Sequence, residues 1–565
     1  MTFAWPLRRR RILFARIMPS RASRNETTAL EPGSSTHFIS AAGCEKCLPV
    51  VLRKHRQGHI INGWLVLIGI VGAVIVVPDG LKRPPNFDLE PVPQSMQYDP
   101  YSAAFLLAGI TLPLAFAYAR RARVSLTEAL FLWFIFCTTA YTKDFSYLRL
   151  PGMPLFVTDI VLISILSSIY IFHRPCRSRI PSGLMISMAL FVAAGALAAA
   201  RGFLGHHDPA LVLRDSAIVG YSLFIPVGYH LTENWLVIRR MAAWFALGAA
   251  LSVLNGLAQF AVVPEQRRFV GGIYVLVPFV GTLVLFANRL IRPRIAWILA
   301  GVFSIGLFLA NSRSAFVIIV VLFALALLVP GLFRRKRRLL TLIAALVTAA
   351  VLAGSFSFLY LHLHSERAFA ARVASGLSSG ILHTSSDPYW QFRLMAWREA
   401  WNRFREYPAA GEGFGIPFNF EIWDNDSRPH NTFLTVLYKM GLLGFLPLLV
   451  FLTAFFWLGF QAILRHRQGV HVPFLQIVIL AQICFCLWGG ASLMLESPYL
   501  ASLFWAGVGI SLRAARKLDL EGSFRGMARS KSAGTPRSLT VSRPLALPAL
   551  AASSNFAATP KESKQ

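Results

Sequence analysis

The sequence predicts an all-α polytopic membrane protein, with about 12–14 transmembrane helices and one large extramembrane loop that carries an amphipathic helix. Three observations predict it. The 565 residues are 55% hydrophobic and only 15% charged, whereas soluble domains carry about a quarter charged residues. Apolar runs long enough to cross a bilayer recur along the chain. The basic surplus, a formal net charge of +30, is divided into short clusters between those runs and into two tails. A nucleic-acid-binding domain would gather that charge on one folded module, so the pattern reads as topology signals and no nucleic-acid partner is expected.

Residues 1–59 form a basic tail whose start lacks the uninterrupted apolar core of a secretory signal. Cys44 and Cys47 make a CxxC there with no second pair and no nearby histidine cluster, so it does not read as a zinc site. Residues 60–361 form an N-terminal transmembrane bundle, with spans near 60–78, 101–118, 125–142, 155–172, 184–201, 212–231, 241–262, 271–288, 295–311, 314–330 and 339–361. A long loop, 362–431, separates it from spans near 432–458, 472–490 and 497–513, which make up the C-terminal transmembrane segment 432–513. Cys137, Cys484 and Cys486 fall within apolar runs, where cysteine behaves as a small hydrophobe. Residues 514–565 are rich in Ser, Ala, Pro and basic residues without sustained apolar periodicity, and read as a disordered tail weakly attracted to anionic lipid.

Orientation follows from the connections. Arg120, Arg121 and Arg123, then Arg174, Arg177 and Arg179, Arg239 and Arg240, and Arg289, Arg292 and Arg294 fall on one side. The run Arg334–Arg338 and the pair Arg465 and Arg467 fall there too. The positive-inside rule places that side and both termini in the cytoplasm, and the long loop outside.

Within the loop, Trp390, Leu394, Trp397, Trp401 and Phe404 recur at steps of four and three, which describe one face of a helix resting on the membrane surface or capping the bundle. These tryptophans fit an interfacial aromatic belt and also stacking on sugar rings. Pro408 ends the helix, and Gly411, Gly413 and Gly415 follow in a turn that is neither a Rossmann nor a P-loop signature. Arg428-Pro429-His430-Asn431-Thr432 then opens the next helix. Unpaired N–H groups and the positive dipole end suit an anion there. His430 is a candidate general base, and His430 with Asn431 also fits a plain helix cap.

In order and spacing, Arg393-x3-Trp397, the Pro408-x2-Gly411-x-Gly413 turn, His430-Asn431 and Gly441-Leu442-Leu443-Gly444 resemble the O-antigen ligase/polymerase superfamily. Asn311-Ser312-Arg313-Ser314-Ala315 is similar to that family's Ser-Arg element before a transmembrane helix. The resemblance covers roughly residues 200–510. It implies a multi-pass protein of the bacterial inner membrane, transferring a glycan from an undecaprenyl-diphosphate donor to a hydroxyl of a glycan or lipid acceptor at the periplasmic face. It implies no nucleotide sugar, cofactor or metal, and it leaves polymerase, ligase and protein oligosaccharyltransferase open. The reading leans towards a surface-polysaccharide polymerase, with other polysaccharide-assembly proteins as partners.

The topology brings Arg313, in a tight outer turn, Arg214, in the first turn of a helix entering from outside, and Arg393 and His430 of the loop to one membrane face. Arginine binds diphosphate oxygens bidentately and stays charged. Arg313, Arg214 and Arg393 are therefore expected to hold the diphosphate and His430 to accept or orient the acceptor proton. Trp397, Gly411, Gly413, Gly415 and Asn431 are expected to contact the glycan or shape the loop. Arg313 also fits snorkelling to headgroups, and Arg214 fits pairing with Asp215. Glu412 and Asp424 are weaker base candidates, and Asp159 and Glu496 read as salt-bridge or capping residues. A transporter or flippase of lipid-linked glycan is the alternative. Transporters place broken helices and polar sites near the bilayer midplane, whereas these spans read as mostly uninterrupted.

Overall fold

The computed structural model describes residues 100–122, 124–148, 155–172, 180–262, 271–310, 312–328, 388–418, 428–467 and 469–533. The spans expected near 60–78 and 339–361 lie outside them, as do the whole tail 1–59 with Cys44 and Cys47, the first part of the long loop, Asp424, and residues 534–565. No strand occurs among the described residues, and the protein is an all-α polytopic membrane protein.

Helices α1 (Pro100–Ala122), α2 (Leu126–Ser146), α3 (Val157–Phe172) and α4 (Ser182–Leu204) come first. Ser125 starts α2 with its side chain accepting from Glu128 N, which satisfies one of the unpaired N–H groups of the first turn. The span expected at 212–231 is divided into α5 (Pro209–Gly220), a 3-10 turn (Tyr221–Leu223) and α6 (Phe224–Leu231). Pro226, in the first turn of α6, has no N–H to give and crowds the preceding turn, which accounts for the division. Then follow α7 (Trp235–Val262), α8 (Gly272–Ala287), α9 (Pro293–Ala310) and α10 (Arg313–Leu328). The loop helix α11 is Pro388–Glu406, and α12 (Thr432–Arg465), α13 (Val472–Gly489) and α14 (Pro498–Ala533) complete the order. Among the described residues, five segments are long and apolar enough to cross a membrane: α4, Pro209–Leu231, most of α7, α12 and α13. The apolar portions of α3, α8, α9 and α10 are shorter.

Two features depart from the sequence reading. α14 continues to Ala533, so the first part of the segment read as a disordered tail is helical. Its extension is tied down: Trp235 Nε1 donates to Glu521 (2.9 Å), Lys517 Nζ to the Glu233 carbonyl (2.8 Å), and His466 Nε2 pairs with Asp519 (2.8 Å). The helices are also not uninterrupted. α2 breaks at Thr142 (φ 53°) and α12 at Gly441 (φ 60°, ψ −161°).

The break in α12 is repaired by the loop that follows α11. Glu412 N donates to the Tyr438 carbonyl (2.8 Å) and Gly413 N to the Lys439 carbonyl (3.0 Å). In return, Leu442 N donates to the Pro408 carbonyl (2.9 Å) and Leu443 N to that of Ala409 (3.0 Å). The loop thus takes the place of the missing helical turn, so these buried polar groups stay paired. Such close approach needs glycine on both sides. A Cβ on Gly411 (φ 70°) would strike the Lys439 and Gly441 backbone, and one on Gly441 would strike Ala409 and Gly411 N.

Gly411→Ala and Gly441→Ala should each lower the thermal unfolding temperature of detergent-purified protein, with at least ~1 kcal/mol arising from the left-handed backbone alone. Gly301→Ala, where a Cβ meets nothing within 4 Å, should leave it unchanged or raised. A Gly441→Ala protein as stable as wild type would remove the exchange as a structural requirement.

Candidate active site

The loop Pro408–Phe418 is held from several directions. Arg201, in the last turn of α4, donates through Nη1 to the Gly411 carbonyl (2.8 Å) and more weakly to that of Ala410 (3.2 Å). Phe414 N donates to the Ala198 carbonyl (3.2 Å) and Gly415 N to Asp215 Oδ2 (3.0 Å). Gly413 (φ 104°) and Gly415 (φ 84°) share the left-handed backbone of Gly411.

Asp215, on α5, anchors a buried ionic cluster. Its Oδ2 also takes Lys439 Nζ of α12 (3.0 Å), and its Oδ1 takes Arg428 Nη2 (3.1 Å). The other arm of Arg428, Nη1, reaches Glu496 Oε2 in the turn before α14 (2.6 Å). Lys439 donates in addition to the Ile416 carbonyl (2.6 Å). The side chains of Asp215, Lys439 and Glu496 are almost wholly buried and that of Arg428 is 11% exposed. Two cations against two carboxylates make the cluster neutral, the condition under which charges tolerate burial.

His430 sits two residues after Arg428 with φ 49°, a conformation uncommon for a residue with a side chain. Its chain neighbours are both pinned. Trp397 Nε1 of α11 donates to the Pro429 carbonyl (2.7 Å). Asn431 caps α12, its side-chain oxygen accepting from Phe433 N (3.1 Å) and Leu434 N (3.2 Å). Thr432 Oγ1 ties the same helix start to the Ser492 carbonyl (3.0 Å) and accepts from Met494 N (2.6 Å).

Residues 297–449 match the O-antigen ligase family. Over this segment the chain is similar to the O-antigen ligase/polymerase superfamily. The matched segment spans Arg313, Arg393, Trp397, the glycine loop, His430, Asn431 and Gly441, while Arg214, Asp215 and Glu496 lie outside it. No curated protein matches the chain.

The sequence-derived candidates fall as follows. Burial, and after it the positive charges of Arg393 and Arg428, lower the His430 pKa to about 4 and hold the imidazole neutral. Arg214 is next to Asp215 on α5, and it shares with Arg428 and Glu496 the electrostatic surroundings of Tyr147. Asp215 takes Arg428 and Lys439. Arg313 is the first residue of α10, and the preceding Ser312 packs beside Gly272 close to Trp488 at the end of α13. Glu412 is salt-bridged to Arg403 (3.2 Å), which stacks over Phe418, and burial raises its pKa. Asp159 accepts from Phe156 N and Tyr221 Oη, both at 2.9 Å.

The loop helix α11 is fixed through its small residues. The helix packs on the start of α12 through Ala396 and Ala400, with Phe418 and Tyr438 around them, and leaves Leu394 and Trp401 about half exposed. Small alanines permit the close approach of the two helices. Sequence reasoning missed Lys439, Arg201 and the role of Arg428. Lys439 did carry a signal: a lysine inside an apolar helix must face the protein interior and find a carboxylate.

The lowered His430 pKa has a thermodynamic sign. Unfolded, the imidazole takes a proton near pH 6.5, and folded it does so only near 4. Its stabilising effect is therefore complete above 6.5 and is lost as pH falls towards 4. Thermal unfolding measured at pH 7 and pH 4.5 should show a smaller acid-induced drop for His430→Gln than for wild type.

Proposed function

We propose that this protein transfers a glycan from a polyprenyl-diphosphate donor to an acceptor hydroxyl at the periplasmic face of the bacterial inner membrane, with both termini in the cytoplasm. O-antigen ligase/polymerase-type glycan transfer is the activity of its family. The observation that carries the reading to residues is the placement of a neutral, buried His430 at a helix start with Arg393 close to it.

In the reaction, the acceptor oxygen attacks the anomeric carbon. The acceptor O–H proton passes to His430, the bond from the anomeric carbon to the diphosphate oxygen breaks, and the lipid diphosphate leaves with both electrons. A single displacement inverts the anomeric configuration. Arg313, Arg214 and Arg393 hold the departing charge, and fixed guanidinium groups stabilise it most as it develops. Gly413 and Gly415 shape the loop beside the site, and the half-exposed Trp401 offers an apolar ring face to the glycan.

An imidazole with a pKa near 4 is a weak base. Burial is the larger cause of that lowering and remains, but the diphosphate's negative charge beside Arg393 offsets the repulsion that adds to it, so donor binding raises the basicity of His430. The interrupted helices would also suit a transporter. At Gly441, however, the Tyr438 and Lys439 carbonyls and the Leu442 and Leu443 N–H groups are all bonded to the loop, which leaves them no part in coordinating a transported ion.

Purified protein in liposomes, given lipid-linked donor and candidate acceptors, should form the glycosylated product. Translocation of donor without product would favour the flippase reading. His430→Ala should abolish transfer with normal protein abundance, and Arg313→Lys, which keeps charge but loses the planar fork, should be impaired. Wild-type rates in either variant remove that residue's role. The acid limb of kcat, which reports the donor-loaded enzyme, should lie at higher pH than that of kcat/KM, which reports the free enzyme. Coincident limbs would rule out the donor-dependent gain in basicity.

A further inference from the structure

We propose that Arg428 is a positioning residue for the transfer reaction: its guanidinium, forked between Asp215 and Glu496, fixes the backbone conformation in which His430 meets the acceptor. The proposal rests on the reading of His430 as the proton acceptor and adds to it a residue that touches no substrate.

His430, a non-glycine residue at φ 49°, is held against a local preference of about 1 kcal/mol or more. Such a conformation persists only where the surroundings over-determine it, and here they do. Three consecutive anchors bracket the residue: the Arg428 side chain, the Pro429 carbonyl on Trp397 Nε1, and the Asn431 cap. Arg428 reaches furthest of these. Through Asp215 it is tied to α5, to the glycine loop by Gly415 N and, through Lys439, to the turn of α12 just before the Gly441 break. Through Glu496 it is tied to the turn before α14. One side chain therefore registers four parts of the molecule against the two residues that follow it.

The chemistry of the fork makes arginine specific here. Nη1 and Nη2 reach two carboxylates belonging to different segments, 2.6 Å and 3.1 Å away. A lysine ammonium is a single point on a flexible stem and cannot hold both in a fixed plane. The planar group transmits a direction to the backbone, and the charge alone does not.

The test compares wild-type protein with Arg428→Lys, Trp397→Phe and His430→Ala, each as full-length chain reconstituted in liposomes with a polyprenyl-diphosphate-linked glycan donor and acceptor. Arg428→Lys should lower kcat by roughly tenfold to a hundredfold, the scale of a misplacement of about 1 Å, with the donor KM within about twofold of wild type. Trp397→Phe keeps the ring and loses only the N–H to the Pro429 carbonyl, so it should lower kcat in the same sense and by less. A normal kcat for Arg428→Lys, or a raised donor KM with kcat unchanged, overturns the proposal. Should Arg428→Lys fail to accumulate in the membrane, Trp397→Phe decides, and a normal kcat there overturns it equally. Transfer retained by His430→Ala contradicts the base assignment itself. An inactive His430→Ala beside a wild-type Arg428→Lys contradicts only the positioning role.

Discussion

The rest of the candidate site depends on an exchange of backbone hydrogen bonds at Gly441. Inside a membrane protein a broken helix leaves carbonyl and N–H groups that must be paired internally. Here the Pro408–Gly413 loop supplies donors to Tyr438 and Lys439 and acceptors for Leu442 and Leu443. The loop is fixed against α12 with the regularity of a helical turn, although it belongs to a different part of the chain. Everything downstream follows from that placement. Gly415 N comes within reach of Asp215, Lys439 faces the same carboxylate, and Arg428 closes the cluster from the other end of the loop.

The electrostatics have the same logic. Four buried charges are tolerable because they cancel and because the loop backbone adds Gly415 N to Asp215 and the Ile416 carbonyl to Lys439. His430 stands beside this cluster without joining its ion pairs. It therefore feels the local positive charge and the loss of solvent, which together keep its imidazole neutral. A neutral histidine at a helix start, with arginines around it, is an arrangement that discriminates in favour of an anionic ligand before any proton moves.

Much of the fold was legible in the sequence because its signals are local. Apolar runs and their flanking arginines gave the helices, and the steps of Trp390, Leu394 and Trp397 gave α11 close to its observed bounds. The order of Pro408, Gly411, Gly413, His430 and Gly441 also pointed to the family whose model matches residues 297–449. The reason for that order was not legible. Gly411 and Gly441 are reciprocal partners in space, joined through main-chain atoms that carry no residue identity. The ionic cluster was hidden for a related reason. Asp215 read as the neighbour of Arg214, Glu496 as a helix-end residue, and Lys439 drew no notice, since nothing in the sequence says which distant charge each one meets. The continuation of α14 was missed because its anchors, Trp235, Glu233 and His466, lie far off in the chain.

The account's central claim is that one site, assembled from α5, the start of α10, α11 and the His430 segment, holds the lipid diphosphate against the acceptor. An experimental structure of the protein with a non-transferable polyprenyl-diphosphate glycan tests it most directly. The diphosphate oxygens should lie within about 3.2 Å of guanidinium nitrogens from Arg214, Arg313 or Arg393, with the anomeric carbon facing the His430 ring. A diphosphate seated at the opposite end of the bundle, or contacting none of these arginines, would contradict it.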